Sequence, residues 1–283
     1  MNLQAAQPPN SQPPASVPNE PTRTAQKPSY WSTPKAFVLL ALLFLTAIGL
    51  GFTHNTTGLL NATAAMVAGA LVDLPFAFLQ NRKSKLSDGA LLTGLIVAMV
   101  LAVSTPWYIA AAASAVGVLV KNLLRVKKKP ILNPAAVGLL FAVFALSTNQ
   151  DWWGGMAELA PWWTLALLAV GIAVTRRVHK YTQVLTFLGV YFLAFLVMGL
   201  TGFHSDLASD ALRVPFVNSA LFLGFVMLTD PPTSPGKPKD QAIFALIAVV
   251  VSIVLYLTWG GLAYLLIGLL TANLWNAWRL WKK

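Results

Sequence analysis

Ten apolar stretches follow one another along the chain, at about 36–52, 59–80, 90–103, 107–120, 133–147, 162–175, 182–200, 216–228, 242–258 and 262–276. Short polar connections separate them. A hydrocarbon core about 30 Å thick asks for about 20 apolar residues per helical crossing, so the pattern predicts an all-α polytopic membrane protein with ten transmembrane segments. Two places fall short of that length. The 31 residues 90–120 must leave and return between two basic loops, yet a helix of that length rises about 46 Å against about 60 Å for two crossings. The stretch 216–228 is equally short and runs into Thr229-Asp230-Pro231-Pro232-Thr233-Ser234-Pro235, where prolines cannot continue a helix and backbone groups lose their partners. The third and eighth segments are therefore expected to be interrupted. Non-helical backbone at membrane depth persists only inside protein or beside a watery cavity, so the breaks point to a site. They are expected to meet and cradle something polar.

Five segments per half give the halves opposite orientations. A weak internal match follows that division: Ala90-Leu91-Leu92-Thr93-Gly94 leads to Ser104-Thr105-Pro106, and Ala220-Leu221-Phe222-Leu223-Gly224 leads to Thr233-Ser234-Pro235, at offsets of 130 and 129. It pairs the two short segments, where inverted-repeat transporters place broken helices and a midplane ligand. The expected organisation is a disordered Pro-rich tail over residues 1–34, which holds 8 of the 18 prolines, followed by a membrane domain over 35–283. Within it the two inverted five-helix repeats run from about 36 to 148 and from about 162 to 283.

Composition agrees with this class. Of 283 residues 57% are hydrophobic and 10% charged, with mean hydropathy +0.66, which excludes an ordinary soluble domain. The net charge of +11 reports orientation rather than nucleic acid. With ten crossings, nineteen of the twenty basic residues fall on one side, Arg213 excepted. By the positive-inside bias that side is the cytoplasm, and both termini lie there. The run Arg125 to Lys129 belongs to this set and reads as a topology anchor or as a grip for anionic lipid or a partner subunit. There is no cysteine, so a thiolate-held metal or iron–sulfur cluster is excluded. No hydrolase triad, zinc motif or phosphate-cradling Gly-rich loop is visible.

Several motifs, taken together, resemble the RnfD/NqrB family: Asp88-Gly89-Ala90-Leu91-Leu92-Thr93-Gly94, Pro106-Trp107, Asn133-Pro134-Ala135-Ala136-Val137-Gly138, Thr229-Asp230-Pro231 with Thr233-Ser234-Pro235, and Gly260-Gly261 before Asn273. They occur in that family's order. The resemblance implies a ten-helix inverted-repeat fold similar to urea and ammonium transporters. It also implies a membrane subunit of an electron-transport complex in the bacterial inner membrane, working with other membrane and reductase subunits, binding flavin, and coupled to Na⁺ or H⁺ movement. The family's Ser-Gly-Ala-Thr stretch, whose threonine takes FMN through a phosphoester, is missing here. Flavin, as FMN or riboflavin, is then held without a covalent bond, or the scaffold serves as a redox-independent transporter or channel for a small solute or vitamin.

Candidate flavin-binding residues are Thr93, Gly94, Asn133, Asn218, Thr229, Asp230, Thr233 and Ser234, and candidate ion-coupling residues are Asp230 and Asp73. Each has a plainer reading. Asp230 starts a turn and pairs with loop lysines, whereas Asp73 makes a salt bridge with Arg82. Gly94 lets helices approach, Asn133 caps a helix that begins with Pro134, and the hydroxyls satisfy freed backbone.

Overall fold

The computed structural model describes residues 33–53, 56–82, 84, 87–157 and 159–282. Of the tail expected over 1–34, residues 1–32, Arg23 and Lys27 among them, lie outside the described residues, as do Lys83 and Lys85, and Pro34 already belongs to the first helix. The rest is mostly helical. In chain order the elements are α1 (Pro34–Thr53), α2 (Thr56–Leu79), α3 (Asp88–Val100), α4 (Trp107–Leu123), the two-residue strands β1 (Arg125–Val126) and β2 (Lys129–Pro130), and α5 (Pro134–Leu146). They continue with α6 (Trp163–Val178), α7 (Tyr181–Thr201), α8 (Ser205–Ala211), α9 (Phe216–Phe222), α10 (Pro238–Trp259) and α11 (Ala263–Trp281). Every one of the ten apolar stretches contains a helix.

Four of these helices, α1, α2, α7 and α10, are long and apolar enough to cross a membrane; α8 and α9, bent by 55°, make a fifth if counted as one span. Their large apolar side chains face outward, among them Leu71, Leu185, Leu193 and Val254, a surface that needs lipid rather than water. α3 and α5, at 13 residues each, are shorter than a crossing.

Small residues set the packing. A Cβ on Gly94 of α3 would stand 2.5 Å from the Ala65 carbonyl oxygen of α2. At the α4–α5 contact a Cβ on Gly117 would meet the Pro134 oxygen at 2.2 Å, and one on Gly138 the Ala113 oxygen at 2.2 Å. The second half repeats the device, since Gly268 of α11 lies against Ala248 and Ser252 of α10. Without a hydrophobic force between helices in lipid, such close approach supplies the dispersion contact that holds them. The halves share a partner scheme as well: α2 packs on α4 and α4 on α5, while α7 packs on α10 and α10 on α11.

Both short segments break as their lengths require, but in different surroundings. α3 stops at Val100, and the extended chain after it is held by residues 149–152. Ala102 donates its N–H to the Asn149 carbonyl (3.0 Å), and Asp151 and Trp152 both donate theirs to the Val100 carbonyl (3.1 Å each). The Asp151 carboxylate accepts from the Val103 N–H at 3.1 Å, and the Asn61 amide donates to the Thr105 carbonyl at 2.8 Å. In the eighth segment α9 widens into a π-helical turn over Leu223–Met227, which displaces the ordinary bonding ladder. Side chains collect the freed carbonyls. The Gln183 amide donates to Leu228 (2.6 Å), the Asn133 amide to Met227 (3.2 Å) and the Thr229 hydroxyl to Phe225 (2.7 Å).

The two breaks do not meet, contrary to the expectation from sequence. The first is sealed by a neighbouring loop at the C-terminal end of α3, whereas it is the first turns of α3 that approach the break after α9. A loop of fixed sequence supplied enough donors and acceptors to close the first gap, which segment lengths alone do not reveal.

Candidate functional site

A cavity of about 700 Å³ opens between α1, the start of α3, the end of α4, the β1–β2 hairpin, the start of α5 and the break after α9. Its wall contains Asp88, Gly89, Leu92 and Thr93, then Asn133, Pro134 and Ala135, then Thr229, Asp230 and Pro231. Three motifs at least forty positions apart in sequence thus converge on one space. Leu92, Ile96 and Val226 give it apolar surface, and six basic side chains, Lys35, Arg82, Lys121, Arg125, Lys128 and Lys129, give it positive charge. Such a volume with apolar walls and few polar groups is the usual form of a small-molecule site.

The sequence candidates separate into two groups. Thr93, Asn133, Thr229 and Asp230 stand on the cavity. Thr93 donates its hydroxyl to the Gly89 carbonyl at 2.7 Å and Thr229 donates to Phe225, so each hydroxyl has its proton spent and only lone pairs left to accept with. Asn133 is committed to structure: its Oδ1 accepts from the Ala136 N–H at 3.1 Å as the α5 cap, its amide holds Met227, and its own N–H donates to Asn273 Oδ1 at 2.8 Å. Thr233 and Ser234 stand behind Asp230. Thr233 donates to the Asp230 carboxylate at 2.8 Å, and Ser234 to the Asp230 carbonyl at 2.7 Å.

The remaining candidates lie elsewhere. Gly94 faces α2 across the close contact described above. Asn218 donates to the Gly155 carbonyl at 2.6 Å, so it braces the 153–155 turn and not the cavity. Asp73, 1% exposed, sits behind the basic rim with both oxygens engaged: Oδ2 accepts from Arg82 at 2.7 Å, and Oδ1 from the Asn122 amide at 2.8 Å with Lys121 at 3.5 Å.

Burial pushes the Asp230 carboxyl above the ordinary carboxylate range, opposed by the Thr233 hydroxyl and by the charges of Lys35, Lys121 and Lys180. The same break is held by Lys180, whose ammonium donates to the Pro235 carbonyl. Burial brings Lys180 down to about 8, with Asp230 pulling the other way.

In the sequence Lys35, Arg82, Lys121, Arg125, Lys128 and Lys129 read as markers of orientation. Their shared cavity has no linear signature, apart from the density of the run Arg125 to Lys129. Lys180, which secures the break, likewise reads from sequence only as an orientation marker, and Gln183 beside it gives no signal because a polar residue at a helix start reads as ordinary loop boundary.

Fold and site together define a multi-pass helical membrane protein with a basic, partly apolar cavity at one face of the bundle. The family model described as "NQR2, RnfD, RnfE family" matches residues 25–157, and this match supports membership of the chain in the RnfD/NqrB-type family, whose members are membrane subunits of multi-subunit complexes. No curated protein matches the chain.

Proposed function

We propose that the protein is the RnfD/NqrB-like subunit of a flavin-dependent electron-transport complex coupled to Na⁺ or H⁺ translocation, holding flavin without a covalent bond. One observation carries this reading: the motifs around Asp88, Asn133 and Asp230, which underlie the resemblance, line one cavity of about 700 Å³. The residues fit the group. Leu92, Ile96 and Val226 suit an aromatic ring, the spare lone pairs of Thr93 and Thr229 suit ring or ribityl donors, and the basic rim suits an anionic substituent. A bound flavin supplies one- and two-electron chemistry. The protein's own part is to orient it, exclude water through the apolar wall, and hold a carboxyl group beside it. Asp230, raised by burial, takes up a proton more readily than a surface aspartate and is the ion-coupling residue in this reading. Asp73, with both oxygens bound, holds the rim in place.

The ten-segment inverted repeat, similar to urea and ammonium transporters, belongs to the same proposal. Shared packing of α2–α4–α5 and α7–α10–α11 supports it, as does a break at the C-terminal end of each short segment. The cavity and basic loops then face the cytoplasm of a bacterial inner membrane, toward reductase subunits.

The test is an absorbance spectrum of the detergent-purified protein followed by acid precipitation. Flavin absorbance whose colour passes into the supernatant is expected. A colourless protein, even after expression with partner subunits, would overturn the flavin, and colour retained in the pellet would overturn the non-covalent attachment. The missing Ser-Gly-Ala-Thr stretch also favours a second reading, a redox-independent transporter or channel for a small solute or vitamin, which uptake into proteoliposomes without reductant would select.

A further inference from the structure

The basic side chains around the cavity carry more charge and more donors than the described residues satisfy. Arg82 and Lys121 share one carboxylate, Asp73. Among the described residues Arg125 binds neutral acceptors alone: the Lys121 carbonyl at 3.1 Å, Gln80 Oε1 at 2.8 Å and Asn122 Oδ1 at 2.6 Å. Two of its five N–H groups are left over. Lys128 and Lys129 come from the hairpin, whose turn places Lys127 and Lys128 at φ 49° and 69°. That left-handed conformation suits Asn or Gly far better than lysine. Strained backbone therefore brings further positive charge to a wall that already has it. Among the described residues six basic groups line the cavity against two acidic ones, Asp88 and Asp230, with Asp73 behind them. Like charges gathered in a partly buried space repel and are screened less than on an open surface.

A compact dianion offsets that excess. The donors arrive from the loop at Arg82, from α4 and from the hairpin, so they converge from several directions. A tetrahedral phosphate with three terminal oxygens accepts from all of them, whereas a planar carboxylate serves two at most, and guanidinium forks match phosphate edges. We propose that the cavity binds a phosphomonoester whose apolar body lies against Leu92, Ile96 and Val226, with Arg82, Lys121, Arg125, Lys128 and Lys129 holding the phosphate. For the identity of its ligand this rests on the flavin reading, and there it selects the phosphorylated flavin over riboflavin. A lipid phosphomonoester headgroup offers the same chemistry from another source.

The experiment uses the full chain in detergent, freed of any co-purified flavin. FMN and riboflavin are titrated by fluorescence, inorganic phosphate and pyrophosphate by thermal shift, and phosphatidic acid is set against phosphatidylcholine in mixed micelles as competitor. Wild type is compared with the Lys128→Gln/Lys129→Gln double variant and with Arg125→Gln. The expected result is FMN binding roughly ten- to hundredfold tighter than riboflavin, the yield of one or two charge-assisted hydrogen bonds. The gap narrows in both variants and with added salt, while the double variant keeps the wild-type melting temperature because both lysines are exposed. Equal affinity for FMN and riboflavin overturns the phosphate site and leaves the flavin reading standing. Absence of binding by either flavin, with thermal protection by phosphate or pyrophosphate that the variants lose, overturns the flavin reading and upholds the phosphate site. Displacement of FMN by phosphatidic acid but not phosphatidylcholine upholds it with a headgroup as the source. No response to any phosphate compound overturns it.

Discussion

The Asp73 carboxylate on α2 receives the Arg82 guanidinium at 2.7 Å, from nine positions further along the helix end and turn. This pair fixes where the chain leaves α2. The Asn122 amide from α4 donates to the other Asp73 oxygen, and Asn122 Oδ1 accepts from both Arg82 (2.8 Å) and Arg125 (2.6 Å). α2, its following loop, α4 and the hairpin are thereby joined through one buried carboxylate. Loss of that charge strands two cations.

Asp73→Asn is accordingly expected to destabilise the protein by roughly 2–4 kcal/mol, somewhat below the cost of breaking a fully buried pair because the Arg82 side chain keeps 23% exposure. Denaturation in detergent measures it. The double variant Asp73→Leu/Arg82→Leu should recover part of the loss. If Asp73→Asn melts like the wild type, the carboxylate is not the anchor.

Gly117→Ala should cost about 1–3 kcal/mol through overpacking, because the added methyl falls 2.2 Å from the Pro134 carbonyl oxygen and α5 has to move. Gly189→Ala, with nothing within 4 Å of the new carbon, is the control and should be neutral. Size-exclusion profiles and melting temperatures of the two variants settle the comparison.

Asn133→Ala removes two side-chain bonds at once, the α5 cap and the support of the Met227 carbonyl, while the backbone N–H keeps its bond to Asn273 Oδ1. A lost cap is worth about 1 kcal/mol and an orphaned buried carbonyl about 1–3 kcal/mol, so roughly 2–4 kcal/mol is expected. Asn133→Asp keeps the cap but sets a carboxylate oxygen against the Met227 carbonyl, so it should cost at least as much as the Ala variant. A loss no larger than a cap alone would remove the Met227 contact from the account.

Lys180 gives a pH dependence whose sign is opposite to that of a paired cation. Its folded value of about 8 lies below the ordinary 10.5, so between those values the unfolded chain binds more protons and stability rises with pH. The burden of the buried charge is fully present below pH 8 and is relieved as pH climbs toward 10.5. Melting temperatures of wild type and Lys180→Met across that range should converge as the pH rises. A constant difference would mean that Lys180 titrates like a surface lysine.

The apolar pattern placed every helix but the short polar α8, because burial in lipid depends on runs of side chains that a linear reading counts directly. Asn133 as a cap before Pro134 was legible because the N–H it caps, that of Ala136, is three residues away. Asp73 with Arg82 was within reach, since both lie near one helix end. The sequence by itself thus determined class, segment boundaries and local caps. Tertiary structure decided the rest. That residues 149–152 would seal the first break, that Asn218 would face Gly155 and not the cavity, and that Thr93, Asp230 and six basic side chains would share one space all depend on contacts between segments far apart in the chain. Those contacts are chosen by packing and by the need of every buried backbone group for a partner, and neither constraint leaves a trace in local spacing.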